Sequence, residues 1–290
     1  MVSFVVSSPS LRPDMTLIDT GTGPPLVLIP GIQGRWEYVR PAVNALAASF
    51  RTLTFPLCGE RGSMGSIDPA RGLDPYVQQI TAALDRAGID QAVICGISFG
   101  GLPAIRFASQ HPERTSALIL ASVPGTSWQL RPRHRFYARA PWLFGPLFLA
   151  ESPFRLRGEL RSAFPDAGAR WRFLRWQIGT LARAPLSPTR MAHRAAVIAG
   201  ARLRDDCARI TAPTLIVTGE RELDRVVSVD VTREYLQLIA GSRHTTLSKT
   251  GHLGSITRPE AFAALVREFV GAARRHQPDS AYPGPSRATA

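Results

Sequence analysis

A single serine sits in a glycine-rich turn, G-I-S-F-G at residues 96–100, followed by Gly101. An apolar run at 92–95 precedes this turn and is typical of a buried strand, and residues 102–109 follow with a helical pattern. A sharp strand-to-helix turn projects a hydroxyl out of the sheet, and the helix N-terminus supplies unpaired N–H groups where negative charge develops. The spacing therefore predicts Ser98 as a nucleophile, the alternative being a plain glycine turn.

A nucleophilic serine needs a base, and His252 is the best-placed histidine. It lies between glycines in a loop after the last predicted strand, residues 243–247. Flanking glycines allow such a loop to fold back toward the sheet edge. His111 ends a predicted helix and His244 falls inside the predicted strand, where a packed histidine is ordinary.

The acid that orients the base is expected after the strand predicted at 214–217. Asp224 precedes the apolar pair Val226-Val227 and is the preferred candidate, whereas Glu222 lies nearer the strand end and remains an alternative. A carboxylate here would fix the imidazole tautomer and stabilise the imidazolium. The order serine, acid, histidine is the one that hydrolases with this type of serine turn use.

Two backbone N–H donors are expected to stabilise an oxyanion. One is Phe99, directly after the nucleophile, and the other comes from the loop 30–34 behind the strand predicted at 26–29. We expect Ile32 to supply the second donor. Gln33 is a candidate substrate-binding residue, although its amide could equally cap the loop.

The 290 residues predict one α/β domain interrupted by a helical segment. Strand and helix patterns alternate over 1–125, helices and loops fill 126–209, and the α/β pattern returns at 210–273. We expect a mostly parallel sheet flanked by helices, with the helical cap inserted after the sixth strand and a disordered tail at 274–290. Strands are predicted at residues 4–6, 26–29, 52–55, 92–95, 117–121, 214–217 and 243–247.

Charge and aromatic side chains concentrate in the segment 126–209. It holds sixteen arginines and five acidic residues, a net charge of +11 out of +13 for the chain. It also holds four of the five tryptophans, which indicates an apolar roof over the site or a membrane-facing patch. Trp128 and Trp142 are the candidate substrate-binding tryptophans; Trp171, Leu174, Ile178 and Leu181 share one helical face.

Composition and motifs limit the classes of protein to which this chain can belong. The arginine-rich segment matches no nucleic-acid motif, and codon composition can account for arginine replacing lysine. No apolar run approaches the ~20 residues of a membrane span, and the first fifteen residues lack a secretory pattern. Three scattered cysteines without metal-ligand spacing fit a reducing compartment, so we expect a cytoplasmic protein without a bound metal.

The sequence resembles the α/β-hydrolase fold family. The resemblance covers about residues 20–125 and 210–272, and the intervening segment occupies the place of the family's variable cap. The matching pieces, in the family's order, are residues 25–34, 57–63, 96–101, 219–227 and 251–253. Pro30-Gly31 stands where the family usually has His-Gly, and 57–63 departs from its usual D-x-R-G stretch, so the substrate class cannot be copied from a relative.

The resemblance implies a serine hydrolase that needs no cofactor. Its serine argues against the dehalogenase and epoxide hydrolase members, which use aspartate at that position. We expect a carboxylesterase-like enzyme acting on a hydrophobic small-molecule ester through Ser98, Asp224 and His252. Three alternatives stay open. The first is a different reaction of the same residues, namely C–C bond hydrolysis, lactone hydrolysis or acyl transfer. The second is a binding protein of hydrolase fold without turnover, and the third is nucleic-acid binding. The oligomeric state stays open.

Overall fold

The computed structural model describes residues 15–275, in which seven strands form one sheet of order β1-β3-β2-β4-β5-β6-β7. All neighbouring strands are parallel except β1, which runs antiparallel to β3 at the edge. The serine-bearing strand β4 therefore lies in the middle of the sheet. The strands are β1 Ile18–Thr20, β2 Pro25–Ile29, β3 Arg51–Thr54, β4 Ala92–Ile97, β5 Thr115–Ala121, β6 Thr214–Thr218 and β7 Arg243–Thr246.

Helices cover both faces of this sheet and fill the segment between β5 and β6. Short 3-10 turns occur at Trp36–Val39, Pro69–Arg71, Ser98–Gly100 and Pro112–Arg114. The α-helices of the described residues are α1 Arg40–Ala47, α2 Asp74–Arg86, α3 Gly101–Gln110, α4 Pro132–Tyr137, α5 Pro141–Ala163, α6 Ala167–Arg183, α7 Pro188–Gly200, α8 Arg204–Arg209, α9 Val229–Arg233, α10 Tyr235–Leu238, α11 Gly254–Thr257 and α12 Pro259–Arg275.

The strands are buried on both faces, and their side chains alternate between two cores. In β2, Val27 and Ile29 join the core under α2 and α3, whereas Leu26 and Leu28 join the core under α1 and α12. Every residue of β2 and β4 is buried. This explains why the central strands are continuous apolar runs rather than alternating ones.

The predicted α/β architecture is confirmed, with one difference in detail. The edge strand β1 is not predicted by the sequence, because its three residues do not form an apolar run and none of them is fully buried. Among residues 15–275, the insertion follows β5, the fifth described strand. The predicted strand at 4–6 and most of the predicted tail, residues 276–290, lie outside the described residues.

The segment 126–209, hereafter the insert, consists of α4 to α8. Leu160 and Phe173 reach the core beneath α1 and α12, so part of the insert packs on the α/β unit. The apolar face predicted for Trp171 and Ile178 forms on α6, but both side chains are more than 60% exposed. Among the described residues, no helix has the length and apolarity needed to cross a membrane.

A buried ion pair joins the insert to the α/β unit. Arg194 of α7 donates from Nη2 to Glu60 Oε1 at 2.9 Å, and both side chains are at most 1% exposed. The same guanidinium donates to the carbonyl of Cys58 at 2.9 Å and to that of Ile32 at 3.0 Å. Four polar groups from three chain segments thus neutralise one another away from water, which is how a buried charge is tolerated.

We predict that Arg194→Met lowers the free energy of unfolding by about 3–5 kcal/mol, because it leaves Glu60 buried beside two unpaired carbonyls. Arg190→Met is the matched control. Arg190 also contacts Glu60 at 2.9 Å but its side chain is 36% exposed, so its loss should cost less than about 1 kcal/mol. Urea denaturation measures the free energy of unfolding of both variants. Equal losses would contradict the prediction that the buried pair contributes more to stability than the exposed one.

Candidate active site

Ser98 occupies a sharp turn at the carboxyl end of β4. Its φ is +52°, in the left-handed region that non-glycine residues rarely adopt. The strand ends at Ile97 and α3 begins at Gly101, so the reversal takes only three residues. This strained backbone holds the hydroxyl at the carboxyl end of the central strands, as the sequence predicts for a nucleophile.

The glycines around Ser98 are required by close backbone approach. A Cβ at Gly96 would collide with the backbone of Gly101, and a Cβ at Gly100 would collide with the carbonyl of Ile29. The second contact presses the turn against the end of β2, the neighbouring strand. The G-x-S-x-G-G pattern is thus a packing requirement of this turn.

His252 lies between a hydroxyl and a carboxylate. Its Nε2 is 3.1 Å from Ser98 Oγ, and its Nδ1 is 3.4 Å from Asp224 Oδ2. The three residues are separated by up to 154 positions in the chain. The structure therefore brings together the three predicted site residues in the order hydroxyl, imidazole, carboxylate.

The loop after β6 fixes the carboxylate of Asp224. Its Oδ1 accepts hydrogen bonds from the backbone N–H groups of Val226 at 3.0 Å and Val227 at 2.9 Å. The second oxygen, Oδ2, is left to face His252. Glu222 is exposed and lines a groove on the outer surface with several arginines, so it lies away from the imidazole.

The predicted oxyanion donors lie at the ends of adjacent strands. Ile29 of β2 pairs with Gly96 of β4, so the loop bearing Ile32 begins beside the turn bearing Phe99. A side chain at Gly31 would begin 3.5 Å from Ser98 Cβ and 3.1 Å from the side-chain oxygen of Gln33. The structure thus places the loop with Ile32 and Gln33 next to the serine.

The two tryptophans predicted to bind substrate differ in environment. Trp128 is half-buried and packs against the same core cluster as Ile32. Trp142, by contrast, is 77% exposed on α5. Its contact with a substrate stays a prediction.

Comparisons with a family model and with curated proteins agree on one family. The model of the alpha/beta hydrolase family matches residues 26–265, most of the chain. The chain belongs to this family. A 2-hydroxymuconate semialdehyde hydrolase of Pseudomonas sp. (strain CF600) is 26% identical over 271 residues, covering 89% of this chain and 90% of that protein. A pimeloyl-[acyl-carrier protein] methyl ester esterase of Vibrio parahaemolyticus is 27% identical, covering 86% and 95%.

Solved structures agree on the fold of this α/β hydrolase. The enol-lactonase from Burkholderia xenovorans LB400 superposes with a TM-score of 0.72 at 22% identity, covering 88% of this chain and 96% of that one. At this identity the likeness establishes the fold. The names of the relatives support hydrolase activity.

Glu159 is a site residue that sequence reasoning missed. It lies on α5 of the insert and is 1% exposed, and its Oε1 accepts a hydrogen bond from the backbone N–H of Leu253 at 2.7 Å. Leu253 directly follows His252, so the insert contributes a carboxylate to the histidine loop. The motifs that predict the other site residues offer no signal for it; an acid in an apolar, arginine-rich helix that holds only one other acid, Glu151, is the available sign.

Two carboxylates act on the charge state of His252. Burial alone lowers the pKa of the imidazole, but the negative charges of Asp224 and Glu159 outweigh burial, and the net pKa is raised above 6.5. Burial raises the pKa of Glu159 itself to about 7, against the opposing effects of backbone donors and His252. The carboxyl of Glu159 therefore changes charge near neutral pH, and its charge acts on the neighbouring imidazole.

We predict that Glu159→Gln shifts the acidic limb of the kcat/KM profile to lower pH. The amide can still accept from Leu253 N–H, but it removes a negative charge that raises the pKa of His252, so the neutral imidazole persists at lower pH. Hydrolysis rates measured between pH 5 and 9 test this. Glu151→Gln, on the same helix but facing Tyr137, is the control and should leave the limb unchanged. An unshifted limb in Glu159→Gln would contradict the electrostatic role.

Proposed function

We propose that this protein is a serine hydrolase that cleaves a carboxylic ester of a hydrophobic small molecule through an acyl-enzyme. The observation that carries the proposal is the position of His252, 3.1 Å from the hydroxyl of Ser98 and 3.4 Å from the carboxylate of Asp224. The strained backbone of Ser98 supports it, since such strain is maintained where a hydroxyl must be presented. The esterase among the relatives agrees with this reaction class.

The proposed reaction begins when His252 Nε2 takes the proton of Ser98 Oγ as the oxygen attacks the ester carbonyl carbon. The carbonyl electron pair moves to its oxygen and forms a tetrahedral oxyanion. When this intermediate collapses, the leaving alkoxide takes the proton from His252 and departs as an alcohol. Water then attacks the acyl-enzyme with His252 as base, and the carboxylic acid and the free serine are released.

Asp224 and the neighbouring amides stabilise the charges that develop. The carboxylate of Asp224 accepts from the Nδ1–H of His252, which fixes the tautomer with Nε2 toward the serine. The backbone amides of Phe99 and Ile32 donate to the oxyanion. The bond from Arg194 to the carbonyl of Ile32 restrains the loop that carries the second amide.

The proposed substrate is apolar near its acyl group. Ile32 and Trp128 are half-buried apolar side chains that pack on the core cluster to which Phe99 belongs, and the insert places its helices between β5 and β6, where a cap would lie. Gln33, close to Gly31, is the polar side chain that we propose contacts the substrate. A metal or organic cofactor has no step in this reaction.

We predict that p-nitrophenyl esters, from acetyl to palmitoyl, are hydrolysed and that Ser98→Ala lowers kcat/KM by at least about 1,000-fold, since the attacking group is removed. Asp224→Asn should cost a comparable factor, because the amide favours the wrong imidazole tautomer. Glu222→Gln, in the same loop but away from His252, is the matched control and should remain within about two-fold of wild type.

Labelling by a fluorophosphonate separates the alternatives. An ester panel without turnover, combined with labelling at Ser98, would favour lactone or C–C hydrolysis by the same residues. No turnover and no labelling would favour a binding protein of hydrolase fold. Turnover that survives in Ser98→Ala would overturn the assignment of the nucleophile.

A further inference from the structure

One face of α5 is exposed along almost the whole helix. The exposed residues of this face lie within one arc of the helix of about 140° at 100° per residue: Trp142, Leu143, Leu147, Phe154, Arg157 and Arg161. From Trp142 to Arg161 this row extends about 28 Å at the rise of an α-helix. We call these six residues the α5 outer face.

The first two-thirds of the α5 outer face is strongly apolar. Trp142 is 77% exposed, Phe154 80%, Leu143 54% and Leu147 46%. Outside the insert, Val226 is the sole large hydrophobic side chain of comparable exposure among residues 15–275. Isolated exposed apolar side chains are ordinary, but a row of them on one helix face indicates a surface that something else covers.

The remaining third of the α5 outer face is basic. Arg157 and Arg161 line a groove of about 620 Å³ together with Arg131, Arg155 and Arg225, and Glu222 is the one acidic side chain there. Within the described part of the chain, Arg157, Arg161 and Arg225 have no carboxylate within ion-pair distance. These arginines are therefore available to an anionic partner.

We propose that the α5 outer face docks this protein on the surface of an anionic lipid bilayer. Trp142, Leu147 and Phe154 enter the boundary between headgroups and acyl chains, while Arg157 and Arg161 contact lipid phosphates. An amphipathic helix with an aromatic apolar side and arginines binds membranes in this way, and each basic residue near an anionic surface adds to the attraction.

Charge and polarity favour lipid over other partners. A second copy of this chain would set arginines against arginines in a parallel pairing, or arginines against the apolar row in an antiparallel one, and neither arrangement neutralises their charge. A nucleic acid would match the arginines but would leave the row from Trp142 to Phe154 uncovered. An anionic bilayer offers apolar acyl chains next to phosphates. The helix face likewise presents its apolar side chains next to its arginines.

The test is co-sedimentation of the whole protein with vesicles of phosphatidylglycerol and phosphatidylcholine, compared with phosphatidylcholine alone. We expect the protein to bind the anionic vesicles and to bind the neutral vesicles at least about ten-fold more weakly. Molar salt should weaken the binding to the anionic vesicles. Leu147→Ser/Phe154→Ser and Arg157→Gln/Arg161→Gln should each reduce binding at least about ten-fold.

The matched control is Arg243→Gln/Arg267→Gln, which removes two exposed arginines from the α/β unit. It changes the net charge equally and should bind anionic vesicles as wild type does. Thermal unfolding of each variant verifies that the exposed substitutions leave the fold intact. Quenching of tryptophan fluorescence by brominated lipid should fall in Trp142→Phe, which places the helix at the acyl boundary.

Three outcomes would overturn the proposal. The first is no binding to anionic vesicles at millimolar lipid. The second is equal loss in the control pair, which would show attraction by total charge without a docking face. The third is a dimer in sedimentation equilibrium that Leu147→Ser/Phe154→Ser converts to monomer, which would assign the face to a second copy.

Discussion

The left-handed turn at Ser98 constrains much of the structure around it. The chain must pass from β4 into α3 within three residues, and that is possible only where side chains are absent at Gly96 and Gly100. The same turn presses on the end of β2, so the loop after β2 must start beside the serine. The parallel sheet then delivers the loops after β6 and β7 to the same edge, which brings Asp224 and His252 within reach of one hydroxyl.

Buried ionisable groups tie the insert to this edge at two points. Arg194 of α7 holds Glu60 and the carbonyl of Ile32, and Glu159 of α5 holds the backbone of Leu253. One contact reaches the loop proposed to bind an oxyanion, and the other reaches the histidine loop. An insert attached in this way restrains the loops that it covers, so changes within it can alter the site without touching the serine.

The sequence predicted the parts of the site that are encoded locally and missed those that depend on distant pairing. Ser98 and its glycines form one short pattern between a strand and a helix, so their arrangement could be predicted from neighbours alone. The sequence preferred Asp224, which precedes the pair Val226-Val227, but left Glu222 open, since the choice depends on which carboxylate the loop turns toward His252. Glu159 lies 94 residues from its partner Leu253, and no local periodicity reports such a contact.

The arginine excess of the insert divides into residues with different physical roles. Arg194 is fully buried and its charge is balanced by Glu60, so its place follows from packing. The arginines of the α5 outer face are exposed, share a groove with one acid and continue a row of exposed apolar side chains. A bias of codon composition would scatter arginines over all surfaces. Their alignment with Trp142 and Phe154 on one helix face is the observation behind the proposed docking surface, and a bilayer supplies both of the chemistries that this face would contact.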